Sequence, residues 1–323
     1  MATVSTATTN FDKTVTALIL RQIVDNLRKA AIWMDEGTWI EARLIAGTNL
    51  LRYIAYGDLA TTVQALAEGT PPTADTLAIN YAEFSCAQAG RTVELTDVAM
   101  LESPHDLFAV AAERLAYNAV FTLDRNVGET IRDYLTAPAQ ILPPGRAARA
   151  NITQASSDYL TASLVRTAVT QLRAVNAPPF ADGTYHAIIH PYVARDLMEE
   201  SATGGWLDVQ KYVNNENILN GEIGRLHGVR FKESNNATYI GTGGASSANI
   251  FRTVIYGPGY FAFGDQQSIE AYMVPPGGDH SDPLAQKAIV GWKAMWGQKV
   301  LDVTGTGPRF RGIDTVSSAA AVG

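Results

Sequence analysis

The residue types that could perform chemistry are scattered along this chain, and their spacing matches none of the common catalytic patterns. His186 and His190 lie four residues apart, but the strand-like stretch between them carries no carboxylate, unlike a zinc-binding helix. Asp279–Asp282 contains the residue types of a hydrolase triad, yet adjacent loop positions cannot converge on one reacting atom. Gly241–Ser246 lacks the lysine of a phosphate-binding loop. Glu222 has no carboxylate or histidine partner nearby in sequence.

These patterns predict that the chain is not an enzyme and that it has no catalytic residue, cofactor or metal ion. Its 323 residues suffice for roughly two domains, and a hydrophobic content of 46% supports a sizeable core. No run approaches the ~18 apolar residues of a membrane-spanning helix, and we expect no membrane association. The single cysteine, Cys86, excludes an intrachain disulfide and is expected in the core.

The charge pattern indicates a protein that associates with copies of itself. The net charge is −7 without a basic block, which argues against tight binding of nucleic acid but not against enclosing it. Charged residues make up 18%, below the ~25% typical of soluble domains. Of the 25 Lys and Arg residues, 18 are arginine, the cation enriched at protein interfaces. A bias in genomic base composition is an alternative explanation for that skew.

Residues 39–96 are predicted to be extended. Two alternating runs, 51–56 and 77–82, flank a long excursion that has few large apolar residues. Such an excursion has little core of its own, so we expect it either to be disordered or to lie on another chain. A strong breaker marks its tip, formed by Glu68, Gly69, Thr70, Pro71 and Pro72.

A long helix is predicted over residues 104–136. Ser103 is suited to cap it, Pro104 to occupy its first position, and Pro138 to end it. Apolar residues recur at helical spacing throughout, over a length on the order of 45 Å. A second amphipathic helix is predicted near the N-terminus, over residues 11–32.

The C-terminal half reads as a compact α/β region. The predicted helices cover 157–175, 191–200 and 206–213. The predicted strands cover 185–190, 226–232, 239–240, 250–256, 261–263, 269–274 and 288–303. The last residues, 305–323, are rich in Gly, Ser and Ala and read as a tail.

Two stretches carry a resemblance to a known family. The first is the strand-then-proline run Ala187–Pro191 followed by Asp196 and Leu197. The second is a predicted turn, Gly221, Glu222, Ile223 and Gly224, followed by Leu226–Phe231. The chain resembles the major capsid proteins of tailed bacteriophages with the Hong Kong 97-type fold, in the branch typified by the coat protein of coliphage N-four.

The resemblance implies an α+β fold with an N-terminal arm, an extended loop, a peripheral domain built on a long spine helix, and an axial domain. The arm would be 1–40, the extended loop 41–95, the peripheral domain 96–150 and 286–312 with its spine helix at 104–136, the axial domain 151–285, and a flexible C-terminal tail 313–323. The tip of the extended loop would contact a neighbouring subunit.

The function implied is self-assembly into pentamers and hexamers of an icosahedral head, which encloses double-stranded DNA without sequence-specific binding. The head would be assembled in the bacterial host cytoplasm and remain in the virion, with a portal as partner and room for separate scaffolding and cement proteins. The prototype fold joins its subunits through a lysine on the extended loop, whereas this chain has no lysine between Lys29 and Lys211. We therefore expect no such covalent bond. The alternatives are an encapsulin-type bacterial compartment shell and an α/β enzyme.

Overall fold

The computed structural model describes residues 32–34, 39–56, 59, 68–69, 74–104, 106–134, 139–200, 222–277, 282, 284–302 and 308–319. The predicted helix over 206–213, and all but the last residue of the one over 11–32, lie outside the described residues.

The first half of the chain is mostly extended, as predicted. Its five strands are β1 (Trp39–Glu41), β2 (Arg43–Leu44), β3 (Leu50–Tyr56), β4 (Ile79–Ser85) and β5 (Ala87–Thr96). The predicted strand pair is confirmed, because β3 and β4 are antiparallel neighbours over their whole lengths.

The long helix is present, but it begins later than predicted. Two helices occupy this region, α1 (Asp97–Glu102) and α2 (Leu107–Arg132). Ser103 ends α1 in an extended conformation, which is the conformation that a following proline favours. The N-cap of α2 is Asp106, whose carboxylate accepts hydrogen bonds from the amides of Phe108 and Ala109. The predicted capping by Ser103 is therefore wrong.

The remaining elements alternate between helix and strand. They are β6 (Gln140–Ile141), α3 (Ala162–Ala174), β7 (Tyr185–Ile189), α4 (Pro191–Glu199), β8 (Glu222–Leu226), β9 (Val229–Glu233), β10 (Tyr239–Gly241), β11 (Ile250–Tyr256), β12 (Phe261–Val274), β13 (Lys287–Val300) and β14 (Phe310–Thr315).

These strands form three sheets. The central sheet has the order β6-β14-β11-β7-β9-β8, with β10 paired to one end of β11. The outer sheet has the order β1-β12-β13-β5, and the small sheet has the order β2-β3-β4. The parallel pair β7–β9 is joined by a connection that contains α4, as in a βαβ unit.

The long helix α2 covers the outer sheet. Its buried face is rich in alanine, including Ala112, Ala116 and Ala119, and it packs against Trp292 and Trp296 of β13. The central sheet is covered on one face by α3 and α4. Residues of its other face, such as Ile188 and Val254, join the cluster beneath α2. The α2 layer and the central sheet therefore share one core.

The strand predictions for 261–263 and 269–274 merge into one element. β12 is a single strand of 14 residues, with register irregularities between Asp265 and Glu270. It pairs with β13 and therefore belongs to the outer sheet under α2. The predicted axial range, 151–285, includes this strand, which the structure pairs with β1 and β13 and not with the strands of the central sheet.

The last part of the chain is not a flexible tail over residues 313–319. All six residues of β14 are buried, and the strand lies between β6 and β11 in the central sheet. Val316 and Ser317 are also buried. Sequence alternation missed this strand because it buries two charged residues, Arg311 and Asp314.

No helix in the described part of the chain is long and apolar enough to cross a membrane.

Candidate subunit-contact surface

The hairpin formed by β3 and β4 belongs to the small sheet. β-Branched and aromatic residues populate both strands, which favours extended structure. Its register places Ile54 opposite Tyr81 and Tyr56 opposite Ile79. Directly opposed residues share one face of a sheet, so these four side chains form one stripe.

The base of this hairpin is packed against the rest of the chain. Leu51 is 1% exposed and packs in a small cluster with Ala42, Ala262 and Leu301. Glycines beneath it make room, because a Cβ at Gly264 would lie 2.9 Å from the Leu51 methyl groups. The Lys299 Nζ also donates to the Glu83 carbonyl at 3.1 Å. The orientation of the hairpin is therefore set at its base.

The distal half of the hairpin exposes its apolar stripe. The exposed fractions are 48% for Ile54, 64% for Tyr56, 61% for Ile79 and 62% for Tyr81. We call these four residues the hairpin stripe. No described part of this chain covers them, whereas the opposite face carries Leu51 and Ala82 into the core. Contiguous exposed apolar surface of this kind marks an interaction site.

One ion pair stiffens the same face. The Arg52 Nε donates to a Glu83 carboxylate oxygen at 2.6 Å across the strand pair, and its guanidinium lies 5.1 Å from the ring centre of Tyr81. An exposed pair of this kind stabilises the subunit by at most about 1 kcal/mol. Its position beside Tyr81 supports a role in orienting that ring.

The predicted tip residues lie only partly within the described structure. Glu68 and Gly69 form an exposed turn, in which Gly69 has a φ of +77°. Thr70, Pro71 and Pro72 lie outside the described residues. Contact of this tip with a neighbouring subunit stays a prediction.

A second exposed apolar surface lies on the helical side of the fold. In α1, Val98 and Leu101 are 55% and 84% exposed, and α1 has no buried residue. In α2, Val110 and Tyr117 are exposed on the same face, seven residues apart, opposite the buried alanines. Tyr117 stacks on Phe121 with ring centres 5.8 Å apart. Sequence analysis did not single out these residues, because helical periodicity identifies the apolar face that packs in the core and not the exposed face.

The motif predicted as a turn is a strand instead. Glu222–Gly224 belongs to β8, and Gly221 lies outside the described residues. The turn follows at His227 and Gly228, whose φ values of 50° and 80° suit a tight hairpin between β8 and β9. The His227–Gly228 pair between these two short strands is the hairpin signal that sequence analysis overlooked.

The two histidines occupy separate structural positions. His186 stacks on Phe180 with ring centres 4.0 Å apart, and burial lowers its pKa from the usual value. His190 caps α4, where its Nδ1 accepts a hydrogen bond from the Tyr192 amide at 3.2 Å, and its ring lies 4.5 Å from that of Phe251. Burial lowers its pKa to about 4. The His186 ring therefore has a packing role, and the His190 ring both packs and caps α4.

The other sequence-level candidates do not converge either. Asp282 accepts a hydrogen bond from the Lys287 amide at 2.8 Å, while the rest of the Asp279–Asp282 run lies outside the described residues. Gly241–Ser246 leads into one turn of 3-10 helix and not into an α-helix. Across the described ranges, no three His, Cys, Asp or Glu side chains lie close enough to hold a metal ion.

Comparison with solved structures identifies the fold. The capsid of the Cyanophage P-SCSP1u matches with a TM-score of 0.65 at 16% identity, covering 90% of this chain and 89% of that chain. The capsid of Ralstonia phage GP4 matches with a TM-score of 0.64 at 13% identity, covering 87% and 86%. The head of Helicobacter pylori bacteriophage KHP40 matches with a TM-score of 0.60 at 11% identity, covering 85% and 86%.

No protein-family model matches the chain, and no curated protein sequence matches it. At identities this low, the structural similarities establish a shared fold over most of both chains and nothing further.

Proposed function

We propose that this chain is the major capsid protein of a tailed bacteriophage, which assembles into the pentamers and hexamers of an icosahedral head. The observation that carries the proposal is the full-length match to three phage capsid structures, in which 85–90% of this chain is aligned. Those structures favour a phage shell over the two alternatives, a bacterial compartment and an α/β enzyme. The role would be structural, with the protein located in the virion.

The finer proposal is a Hong Kong 97-type organisation with revised boundaries. The peripheral domain would combine the outer sheet with α1 and the spine helix α2. The axial domain would combine the central sheet, including β14, with α3 and α4. The extended loop would be the excursion that begins and ends with β3 and β4, anchored at Leu51. These boundaries follow the sheet pairings, which place β12 under α2 and β14 in the central sheet.

The hairpin stripe would pack on a neighbouring subunit. Burying one large apolar side chain stabilises a contact by roughly 1.5–3 kcal/mol, and the stripe offers four such side chains. The exposed apolar residues of α1 and α2 are the chemically matching surface on a second copy, since they offer Leu101 and Tyr117 without cover. A repeating contact of this kind is heterologous, as a closed ring of subunits requires.

The proposed shell would hold together without covalent bonds and would enclose double-stranded DNA without sequence-specific binding. The residues of β3, β4 and β5 include no lysine that could form an isopeptide bond. The net charge of −7 suits a lining that does not grip the genome. A portal would complete the shell, and separate scaffolding and cement proteins would be further partners.

Electron microscopy of the purified protein tests both the function and the contact. We expect the wild type to form closed particles or rings, and the double variant Ile54→Asp/Tyr81→Asp to remain monomeric with an unchanged circular dichroism spectrum. The matched control is Asn80→Asp, a near-isosteric change on the opposite face of the hairpin. It should assemble like the wild type.

Two outcomes would count against the proposal. A wild type that stays monomeric with and without co-expressed phage head proteins would contradict the assembly function. Particles of normal stability from the double variant would contradict the assignment of the hairpin stripe while leaving the assembly function intact.

A further inference from the structure

Three carboxylates are buried in the described structure, and one of them lacks a cationic partner. Asp314 pairs with Arg252 and Arg149, and Asp158 pairs with Arg146 at 2.9 Å. Asp124, in the middle of α2, is 0% exposed and makes no ion pair with any residue that the structure describes. A buried carboxylate without a cation is costly when ionised. Asp124 therefore differs in kind from the other two.

The partners of Asp124 are amides. Its Oδ1 accepts hydrogen bonds from the backbone amides of Ile32 at 3.1 Å and Trp33 at 2.8 Å. Its Oδ2 accepts a hydrogen bond from the Asn236 Nδ2 at 2.8 Å. These contacts join residues 32–34 to α2 and to the loop after β9.

Trp33 completes this junction. Its side chain is 0% exposed, and its Nε1 donates to the Asn236 carbonyl at 3.0 Å. The indole fills a slot over Gly128, one helical turn beyond Asp124. A Cβ at Gly128 would lie 2.6 Å from the Trp33 Nε1. The slot therefore excludes any larger residue at position 128.

Asn236 can serve Asp124 in either protonation state. Its Oδ1 is buried and makes no hydrogen bond to any described residue. If Asp124 takes up a proton on Oδ2, the Asn236 amide can turn by 180° and accept the new O–H through Oδ1. The other carboxyl oxygen continues to accept the Ile32 and Trp33 amides. The junction keeps its hydrogen bonds and loses the buried charge.

We propose that Asp124 and Asn236 form a proton-tightened latch, which holds residues 32–34 against α2 more firmly in mildly acidic than in neutral solution. The inference rests on these side chains alone and does not depend on the proposed function. When the latch opens, Asp124 becomes hydrated and its buried charge is no longer a cost. Neutral pH therefore favours opening, and protonation favours the closed state.

No charged side chain on the packed elements offsets this effect. On α2, Arg125 and Glu129 pair with each other at 2.9 Å on the exposed face. Glu233, the last residue of β9, is exposed, and neither the loop after it, 234–238, nor residues 32–34 carries a charged side chain. Burial is the dominant cause that raises the pKa of Asp124, to about 6, while the hydrogen bonds from Trp33, Asn236 and Ile32 lower it. The latch is tightest below about pH 4 and loosens as the pH rises through about 6, so that pH 5.0 and pH 7.5 compare a firmer with a looser state.

The test is amide hydrogen exchange of the segment containing Ile32–Met34 in the full-length protein, measured by mass spectrometry and corrected for the intrinsic rate at each pH. With a pKa of about 6 in the closed state and the ordinary aspartate value in the open state, opening should be about tenfold more frequent at pH 7.5 than at pH 5.0. Asp124→Asn should abolish this dependence. Glu129→Gln, on the exposed face of the same helix, should retain it.

A wild type and an Asp124→Asn variant with the same pH dependence would overturn the latch, as would faster exchange in acid. If Asp124→Asn does not fold, Gly128→Ala provides a second test, because it displaces Trp33 without altering the carboxylate. It should raise exchange at both pH values and reduce the difference between them to less than threefold. An undiminished tenfold difference in that variant would also overturn the proposal.

Discussion

Arg252 and Asp314 show how single residues join the long helix to the central sheet. Both are 0% exposed, and the Arg252 guanidinium donates to both carboxylate oxygens of Asp314, at 2.6 and 3.0 Å. Its remaining nitrogen donates to the carbonyls of Arg132 and Tyr134, at the end of α2. One side chain therefore neutralises a buried carboxylate and caps a helix C-terminus.

We predict that Arg252→Ala destabilises the subunit by roughly 3–5 kcal/mol, because it leaves Asp314 buried without its bidentate partner. Urea unfolding followed by circular dichroism measures the loss. The control is Arg125→Ala, which removes an exposed ion pair on α2 and should cost no more than about 0.5 kcal/mol. Equal losses in the two variants would show that the buried pair has no special role.

His190 makes stability depend on pH in the opposite direction to Asp124. Its pKa is lowered by burial to about 4, so the folded state binds a proton less readily than the unfolded chain, in which the value is near 6.5. Its contribution is therefore present above pH 6.5 and is lost as the pH falls towards 4. Asp124, whose pKa is raised, contributes stability below about 4 and loses it as the pH rises through about 6.

We predict that the two effects largely cancel in the wild type between pH 4 and pH 6.5, and that His190→Asn uncovers the Asp124 contribution. Asparagine can still cap α4 but does not titrate. The variant should therefore gain stability on acidification from pH 7 to pH 5, measured by urea midpoints. A His190→Asn midpoint that does not rise relative to that of the wild type between pH 7 and pH 5 would contradict the assignment of His190.

The β3–β4 hairpin is the element in which one end belongs to the subunit core and the other does not. Leu51 and Ala82 are buried at its base, while the hairpin stripe is exposed beyond them on the other face. Its strands were predictable from alternation, which is a local property. The face of the hairpin that is buried could not be predicted, because alternation places apolar residues on both faces.

We predict that Leu51→Ala destabilises the isolated subunit by about 2–5 kcal/mol, the usual cost of a cavity in a core. Tyr56→Ala at the distal end should change subunit stability by less than about 0.5 kcal/mol, because its side chain is 64% exposed. Thermal unfolding of both variants, at a protein concentration too low for assembly, measures the difference. Similar losses at the two positions would mean that the distal half is also packed within the subunit.

Over the whole molecule, strand pairing brings together segments that are far apart in the sequence. The outer sheet draws β5, β12 and β13 together under α2, and the central sheet receives β14 from the end of the chain. The four described lysines lie on β9 (Lys232) and on β13 (Lys287, Lys293 and Lys299), and none lies on β3 or β4. This placement, together with the lysine-free hairpin, supports the proposal that neighbouring subunits are held together by non-covalent contacts.

We predict that assembled particles boiled in detergent give a single band at the mass of one chain on a denaturing gel. Reducing agent should make no difference, since Cys86 is buried and is the only cysteine. Bands at multiples of that mass would reveal a covalent bond between subunits and contradict the prediction.

Local patterns in the sequence were enough to predict the β3–β4 hairpin, the long helix, and the α/β character of residues 185–256. These elements depend on residue spacing within a few turns or strand steps, which the sequence displays directly. The family resemblance predicted a phage capsid fold, and the comparisons show that the chain shares its fold with phage capsid structures. One of its two motifs, the predicted turn at Gly221–Gly224, is a strand over its described residues.

The tertiary structure was needed for β14, for the placement of β12, and for the Asp124 junction. Arg311 and Asp314 look like surface residues until partners more than 60 positions away, such as Arg252, are brought beside them. Trp33 and Asp124 are 91 residues apart in sequence and in contact in the fold. Whether a charged side chain can be buried depends on such distant partners, which local periodicity in the sequence does not reveal.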